Sequence, residues 1–334
     1  MRKVYVQTNE SEGNRMLAFQ RDEDGGLSLQ EEAATGGRGD GVPHLTSQGS
    51  VVLTGDGSQL LVTNAGSADL SVFALGSGLA SPQVMPSGGD APKSVAEHDG
   101  LVYVLNAGSP SLTGFRLDAG RVVPLDGSRR TLRPDADPAQ VGFTPDGAAL
   151  VVTERGTDSI VFYPVGSDGL LGEPAATPSA GPTPYGFAFP AVDTLLVTEA
   201  FGAERGKAAA SSYRIGGGRA EPVSRSIGNG RSEICWAVAT ANGHVFTTNF
   251  ADGAVSCFSV DESGALSLVH AAAGTAVEGQ PGLRDEDLTR DGRFLYAIDA
   301  DAGRIFGWAV EDGRLTAIGS WNGVPATVAG LAAD

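Results

Sequence analysis

The fold of this chain is decided by a short pattern that first occurs at residues 50–64, which read SVVLTGDGSQLLVTN. The pattern predicts a strand, a polar Asp-Gly hairpin and an apolar strand that ends in a polar residue. The same order recurs at residues 140–154, QVGFTPDGAALVVTE, and at residues 285–299, DEDLTRDGRFLYAID. A tight turn, a strand with an aromatic residue and a last strand follow, so each repeat predicts a four-stranded antiparallel sheet.

A polar residue closes the second strand of the repeat in seven places. These residues, here called the ring residues, are Asn9, Asn64, Asn106, Glu154, Glu199, Asn249 and Asp299. The 290 residues from the first to the last make six steps, and about 48 residues per step is the size of a propeller blade. The sequence therefore predicts an all-β, seven-bladed β-propeller, with residues 1–334 as one domain.

The two ends of the chain complement each other. The first repeat begins at its second strand, Lys3 to Asn9, and lacks an innermost strand. The tail, residues 324–331, has the pattern of an innermost strand with no hairpin after it. Placing the tail in blade one pairs both ends and removes an open sheet edge. We therefore expect the C-terminal strand to close the ring by completing blade one.

Composition limits the classes of function. The chain has 40 acidic and 23 basic residues, a formal net charge of −17. A nucleic-acid-binding protein normally carries a basic stripe that neutralises phosphates, and the sequence has none. No apolar stretch approaches the length that spans a membrane, and no secretory signal is recognisable. We expect a cytoplasmic protein with no nucleic-acid or membrane partner, and the sequence does not indicate whether a protein partner exists.

The ring residues and the starts of the innermost strands should open on one face, so the sequence predicts a small-molecule site at this mouth of the channel. Glu154 and Glu199 interrupt a pattern of Asn, and Glu is a poor turn former. Two carboxylates in a partly enclosed mouth raise each other's pKa and can divide acid and base roles. The alternative is a pair of solvated surface residues, or residues paired with the nearby Arg155 and Arg205.

Further residues complete the predicted site. Asp285, and His44 in a mouth-side loop, are predicted as proton partners of a glutamate base. The residues predicted to bind substrate are Gln48, Gln140, Tyr185, Trp236, Asn249 and Arg284. An aromatic side chain at a channel mouth has two interpretations, simple packing or a platform for a flat ligand.

The sequence has no spacing typical of a metal centre or a cofactor site. It has four histidines and neither an H-x-x-x-H nor a C-x-x-C motif. Its glycine clusters precede no predicted helix, so they do not form phosphate loops. We expect no metal and no cofactor, although Glu154, Glu199 and Asp285 together remain a conceivable set of ligands for a hard cation.

The repeats resemble those of the seven-bladed propeller lactonase family over essentially the whole chain, with Asp-Gly hairpins and strands such as residues 61–67, LVTNAGS. That family includes propeller-type phosphogluconolactonases and fungal carboxymuconate lactonizing enzymes. Uncharacterised bacterial members look more similar still, at residues 46–49, at Asp-Pro-Ala-Gln (137–140) and at Cys-Trp (235–236). Characterised lactonases carry Pro-x-His at the start of an innermost strand, where this chain has residues 48–50, Gln-Gly-Ser.

The resemblance implies a hydrolase, or a lyase, cyclase or isomerase, that acts on a lactone or a small cyclic organic acid. Glu199 or Glu154 would then be the general base. The alternative is a non-catalytic propeller that binds a small molecule or serves as an interaction platform, because propellers host unrelated functions. A catalytic site predicts that Glu199→Gln abolishes turnover and leaves stability nearly unchanged, whereas a platform predicts no turnover.

Overall fold

The computed structural model describes residues 2–42, 48–76, 78–118 and 120–334. These residues form seven antiparallel sheets arranged as the blades of a propeller, together with two short 3-10 turns, Phe201–Ala203 and Phe250–Asp252. The structure thus confirms the predicted all-β, seven-bladed β-propeller.

The strands follow one another from the channel outward within each blade. Blade one contains β1 (Lys3–Gln7), β2 (Arg15–Arg21) and β3 (Leu27–Ala34), and blade two contains β4 (Val51–Leu53), β5 (Gln59–Asn64), β6 (Asp69–Ala74) and β7 (Gln83–Pro86). Blade three contains β8 (Pro92–His98), β9 (Leu101–Asn106), β10 (Ser111–Asp118), β11 (Arg121–Pro124) and β12 (Arg130–Thr131), and blade four contains β13 (Pro138–Phe143), β14 (Ala149–Glu154), β15 (Ser159–Pro164) and β16 (Ala175–Pro178). Blade five contains β17 (Pro184–Ala191), β18 (Thr194–Glu199), β19 (Ala209–Gly216) and β20 (Arg219–Gly228), and blade six contains β21 (Ile234–Ala239), β22 (His244–Asn249), β23 (Ala254–Val260) and β24 (Leu266–Thr275). Blade seven contains β25 (Leu283–Leu288), β26 (Phe294–Asp299), β27 (Arg304–Glu311) and β28 (Arg314–Asn322), and β29 (Gly330–Ala333) returns to blade one.

The burial of the strands explains the sequence pattern. The second strands, such as β5 and β14, are buried at every position because neighbouring blades cover both of their faces. The outermost strands, such as β7 and β16, alternate between half-buried and exposed residues because only their inner face is packed. Continuous apolar runs therefore mark the interior of each blade, and alternating runs mark its rim.

The predicted Asp-Gly hairpins are present between the first and second strands. Asp99 and Gly100 both have positive φ, 47° and 79°, as a two-residue type I′ turn requires. The hairpin of blade two is wider, and there Thr54 Oγ1 donates a hydrogen bond of 2.7 Å to Asp56. These turns define the hairpin end of the channel, opposite the end that carries the ring residues.

The C-terminal strand closes the ring as predicted. β29 pairs with β1 from Val4 opposite Ala333 to Gln7 opposite Gly330. It begins later than the predicted residues 324–331, because the preceding segment first makes a turn in which Val328 N–H donates to the Pro325 carbonyl. The chain therefore enters the sheet only at its last few residues.

Candidate functional site

A cavity of about 440 Å³ lies in the central channel, lined by the innermost strands of the blades. Exposure rises along these strands toward the hairpins: Asp285 is 2% exposed, Asp287 and Leu288 are half-buried, and Arg290 is exposed. The same gradient holds in blade two, where Ser50 is buried and Leu53 is half-buried. The cavity therefore opens toward the hairpin end, whereas the sequence predicted a site at the ring-residue end.

Two predicted substrate-binding glutamines form part of the cavity wall: Gln48, which is buried, and Gln140, which is half-buried. Gln48 reaches across the channel from blade two to blade six, where its amide accepts a hydrogen bond from Ala237 N–H (2.9 Å) and donates one to the Ala237 carbonyl (2.8 Å). Gln140 makes the same pair with Phe187 of blade five, at 2.7 and 3.3 Å. Each side-chain amide accepts a hydrogen bond from one backbone N–H group and donates one to the carbonyl of the same residue, so its polar atoms already have protein partners.

Strand β25 brings three carboxyl groups to the cavity wall. Asp287 accepts hydrogen bonds of 2.9 Å from the Ala333 and Leu288 N–H groups. Asp285 Oδ1 accepts one of 3.1 Å from Glu286 N–H. Asp285 Oδ2 and both carboxyl oxygens of Glu286 are buried and make no hydrogen bond of standard geometry with a described residue, while the backbone N–H groups of Leu331 and Gly49 near Asp285, and of Thr248 near Glu286, still favour the ionised acids.

Burial raises the pKa of all three acids. The pKa of Asp287 rises to about 7, because the loss of solvent outweighs its two N–H partners. The pKa of Asp285 lies well above its ordinary value because of burial and then the charge of Asp287, and that of Glu286 because of burial and then the charge of Asp285. Burial thus favours the protonated form of each of these neighbouring acids, and with the pKa of Asp287 at about 7 the strand offers groups that can donate and accept a proton.

At the ring-residue end, three further predicted residues meet in one buried cluster. Tyr185 packs edge-on against Trp236, with ring centroids 5.8 Å apart. The Arg284 guanidinium lies 5.6 Å from the ring centre of Phe250, which packs against the same aromatic pair. Arg155 lies over Tyr185 at 5.0 Å. We call these five side chains the ring-end cluster.

Glu199 is fully buried and hydrogen-bonded within blade five. It accepts hydrogen bonds from Gly181 N–H (2.8 Å), Ser211 Oγ (2.5 Å) and Ser226 Oγ (2.7 Å). Burial raises its pKa, and the two serine hydroxyls are the main opposing influence. The carboxylate thus ties the outer strands of its blade to the loop that leads into the blade, and a catalytic role for it stays a prediction.

The ring residues of neighbouring blades are bonded in a similar way. Glu154, 2% exposed, accepts a hydrogen bond of 2.7 Å from Thr157 Oγ1, and burial raises its pKa. Arg155 pairs with Asp137 at 2.6 Å and not with Glu154, one of the pairings that the alternative interpretation of the sequence allowed. Asn249 donates to the Ala254 carbonyl at 3.0 Å. Catalysis by Glu154 and substrate binding by Asn249 stay predictions, as does the role of His44, which lies outside the described residues.

The sequence interpretation missed several groups that line the cavity. Asp287 could have been included, because strand alternation places it on the same side of β25 as Asp285. Phe143, Phe187 and Phe189 also line the cavity, but nothing in their local sequence separates a channel-lining aromatic residue from a core one. Among the described residues, no group of three or more His, Cys, Asp or Glu side chains is arranged to hold a metal ion.

Fold and cavity together define a closed seven-bladed propeller with an acidic channel. A family model described as "Lactonase, 7-bladed beta-propeller" matches residues 121–200 and 199–327. The chain therefore belongs to the seven-bladed propeller lactonase family. No curated protein matches the chain.

Solved structures with low sequence identity share the fold over the full length. A functionally unknown protein from Desulfotomaculum acetoxidans DSM 771 has a TM-score of 0.77 at 14% identity, covering 100% of this chain and 99% of that one. A candidate 6-phosphogluconolactonase from Bacteroides uniformis ATCC 8492 has 0.75 at 17%, covering 99% of each chain. The periplasmic gluconolactonase PpgL from Pseudomonas aeruginosa has 0.73 at 18%, covering 99% and 98%. In the part of this chain that the structure describes, no helix is long and apolar enough to cross a membrane.

Proposed function

We propose that this protein hydrolyses a small lactone in the central channel, with Asp285 and Asp287 as its acid–base pair. The observation that carries the proposal is the placement of these two acids on one wall of a 440 Å³ cavity. Membership of the lactonase family supports the reaction class. A cavity of this volume suits a small organic molecule.

The raised pKa values suggest how the two acids divide the work. Asp287, with a pKa of about 7, is ionised often enough at neutral pH to take a proton from water as the water oxygen attacks the ester carbonyl. Asp285, whose pKa burial also raises well above its ordinary value, donates a proton to the ring oxygen as the ester C–O bond breaks. The product is one hydroxy acid, and the proton on Asp287 then passes to Asp285, which leaves Asp287 ionised and Asp285 protonated as at the start.

The charge of the cavity favours an uncharged substrate. Besides the acids of β25, Glu97 also lines it, and Arg290 is the cationic side chain that the described residues contribute to its wall. The Arg290 guanidinium donates to the Thr54 and Gly55 carbonyls at 2.7 and 2.9 Å. A phosphorylated lactone would bring negative charge towards the ionised form of Asp287 and towards Glu97, and the one cation that the described residues place in the wall, Arg290, is already bonded to backbone carbonyls.

Proton release on ester hydrolysis gives a direct test. Purified protein is added to matched lactones with and without a phosphate group at constant pH, and the base needed to hold the pH is recorded. We expect turnover of unphosphorylated lactones and a loss of about 10²–10⁴-fold in Asp287→Asn and in Asp285→Asn. Asp118→Asn, an exposed carboxylate outside the cavity, should match the parent. Full activity in both cavity variants would overturn the proposal.

The same assay separates the two ends of the channel. Glu199→Gln and Glu154→Gln test the sequence prediction that catalysis resides at the ring-residue end. Activity that survives in Asp287→Asn but disappears in both glutamine variants would move the site to that end. Turnover of no lactone, combined with saturable binding of one, would favour the non-catalytic alternative.

Ring closure is the second candidate reaction, because the same acid pair can serve both directions. Protonating a ring oxygen in one direction is deprotonating a hydroxyl in the other. Incubating the protein with the hydroxy acid product and following lactone formation distinguishes a cyclase from a hydrolase. We also propose a cytoplasmic location, which the free, buried Cys235 and Cys257 support, and fractionation of expressing cells tests it.

A further inference from the structure

In the ring-end cluster, two buried side chains carry hydrogen-bond donor groups that have no partner among the described residues. Tyr185 is 4% exposed, and its hydroxyl oxygen makes no hydrogen bond with any described residue. Arg284 is 2% exposed, and its Nε and Nη1 are likewise without partners. Buried polar groups nearly always find a partner, so two unsatisfied groups in one cluster call for an explanation.

The two side chains belong to the same buried cluster and influence each other electrostatically. Tyr185 packs against Trp236, and the guanidinium of Arg284 lies over Phe250 of the same cluster. Burial raises the pKa of Tyr185 well above its ordinary value, and the positive charge of Arg284 is among the influences that oppose the rise. The two side chains therefore lie within electrostatic range of each other.

The chemistry of the Tyr185 hydroxyl and the Arg284 guanidinium calls for a ligand that accepts hydrogen bonds. A phenol O–H and guanidinium N–H groups donate hydrogen bonds, and the guanidinium keeps its charge. The existing partner of Arg284 is loose, since its Nη2 lies 3.7 Å from Asp301 Oδ1. Burial lowers the pKa of Arg284, so a negatively charged ligand would stabilise its charged form. A carboxylate supplies both the charge and the acceptor oxygens.

We propose that the ring-end cluster is a second ligand site, in which Tyr185 Oη and the Arg284 guanidinium hold the carboxylate of a small organic acid. The aromatic rings of Trp236 and Phe250 form its apolar walls. Solvent is near, because the side chain of Asp301 is 51% exposed and lines a cavity of about 220 Å³ beside Arg284. The product of lactone hydrolysis belongs to this ligand class, but the site is independent of turnover.

A matched pair of tyrosine variants tests the hydroxyl alone. Tyr185→Phe removes an oxygen that has no protein partner. Tyr103→Phe is the control, because Tyr103 is equally buried but its hydroxyl donates to the Gly169 carbonyl at 2.8 Å. In buffer without organic acids, Tyr185→Phe should unfold at the parent's temperature or higher, whereas Tyr103→Phe should unfold at a lower one.

Titration calorimetry with sodium acetate, and with acetamide as the uncharged isostere, tests the ligand class. We expect saturable acetate binding that is at least tenfold tighter than acetamide binding. It should weaken about tenfold in Tyr185→Phe and in Arg284→Gln, and remain unchanged in Tyr103→Phe. Absence of saturable acetate binding up to about 100 mM, equal binding of acetamide, or unchanged binding in Tyr185→Phe would overturn the proposal. The Tyr185 variant decides the outcome alone if Arg284→Gln does not fold.

Discussion

Glu199 at the ring-residue end and Asp285 in the channel are both buried carboxyl groups with a raised pKa, yet their surroundings differ. Glu199 accepts three hydrogen bonds from its own blade. Asp285 receives one hydrogen bond of standard geometry, at Oδ1, and only more distant backbone N–H groups, of Leu331 and Gly49, face the rest of its carboxyl group. A raised pKa therefore does not separate a structural acid from a chemically available one in this molecule. The difference lies in whether the fold has already supplied the donors.

The positions of the two acids in their strands explain this difference. Glu199 ends a second strand, where the third strand of its blade and the incoming loop supply hydroxyl and N–H groups. Asp285 lies in an innermost strand, beside other carboxyl groups and the open channel. Acids such as Glu199, whose hydrogen-bond donors come from their own blade, should matter for stability. Acids such as Asp285, which lie beside the open channel, should matter for proton exchange.

The largest effect on stability is expected from removing Glu199. Glu199→Ala leaves the Gly181 N–H and two serine hydroxyls buried without their acceptor, which should lower the free energy of unfolding by about 3–4 kcal/mol. Glu154→Ala removes one hydrogen bond, from Thr157, and should cost about 1–2 kcal/mol. Urea unfolding of the two variants beside the parent measures both values. Equal losses of unfolding free energy in the two variants would contradict the view that the number of hydrogen-bond donors around a buried acid determines how much it stabilises its blade.

The pH dependence of stability tests the channel acids. The pKa of Asp287 is raised from its ordinary 3.8 to about 7, so the folded state binds more protons than the unfolded state between these values. Stability should therefore fall as the pH rises from about 4 to about 7, by at most about 1.4 kcal/mol per pH unit for this group. The contribution of Asp287 is fully present below pH 4 and lost above pH 7.

Urea unfolding at pH 5, 6, 7 and 8 measures this slope. Asp287→Asn should flatten it, because asparagine does not titrate, whereas the exposed Asp118→Asn should leave it unchanged. The pKa values of Asp285, Glu286 and Glu199 shift in the same direction, so a residual slope is expected in Asp287→Asn. A slope identical to the parent's would show that Asp287 is ionised throughout the range and cannot serve as the proposed base.

The fold was predictable from the sequence because each blade repeats the same short sequence pattern. Asp-Gly turns, apolar second strands and a tail without a hairpin specify the propeller and its closure through short-range patterns. The candidate cavity was predictable only in part: Asp285, Gln48 and Gln140 were named from the sequence and line it, whereas their roles, and those of Tyr185 and Trp236 at the other end, stay predictions. Which end of the channel opens depends on contacts between distant blades. The bond from Gln48 to Ala237, residues 189 positions apart, leaves no local signal in either strand.

The smallest effect on stability is expected from replacing Gln48 and Gln140, the two glutamines of the cavity wall. Gln48→Leu leaves the Ala237 N–H and carbonyl without partners at the buried end of the cavity, and should cost about 1–2 kcal/mol of unfolding free energy. Gln140→Leu removes an equivalent pair to Phe187, but Gln140 is half-buried, so water can replace the lost partner and the cost should be below about 1 kcal/mol. Thermal unfolding of the two variants compares them directly. If Gln140→Leu proves the more costly, the exposure gradient does not describe how water enters the channel, and the cavity would have to open at the ring-residue end.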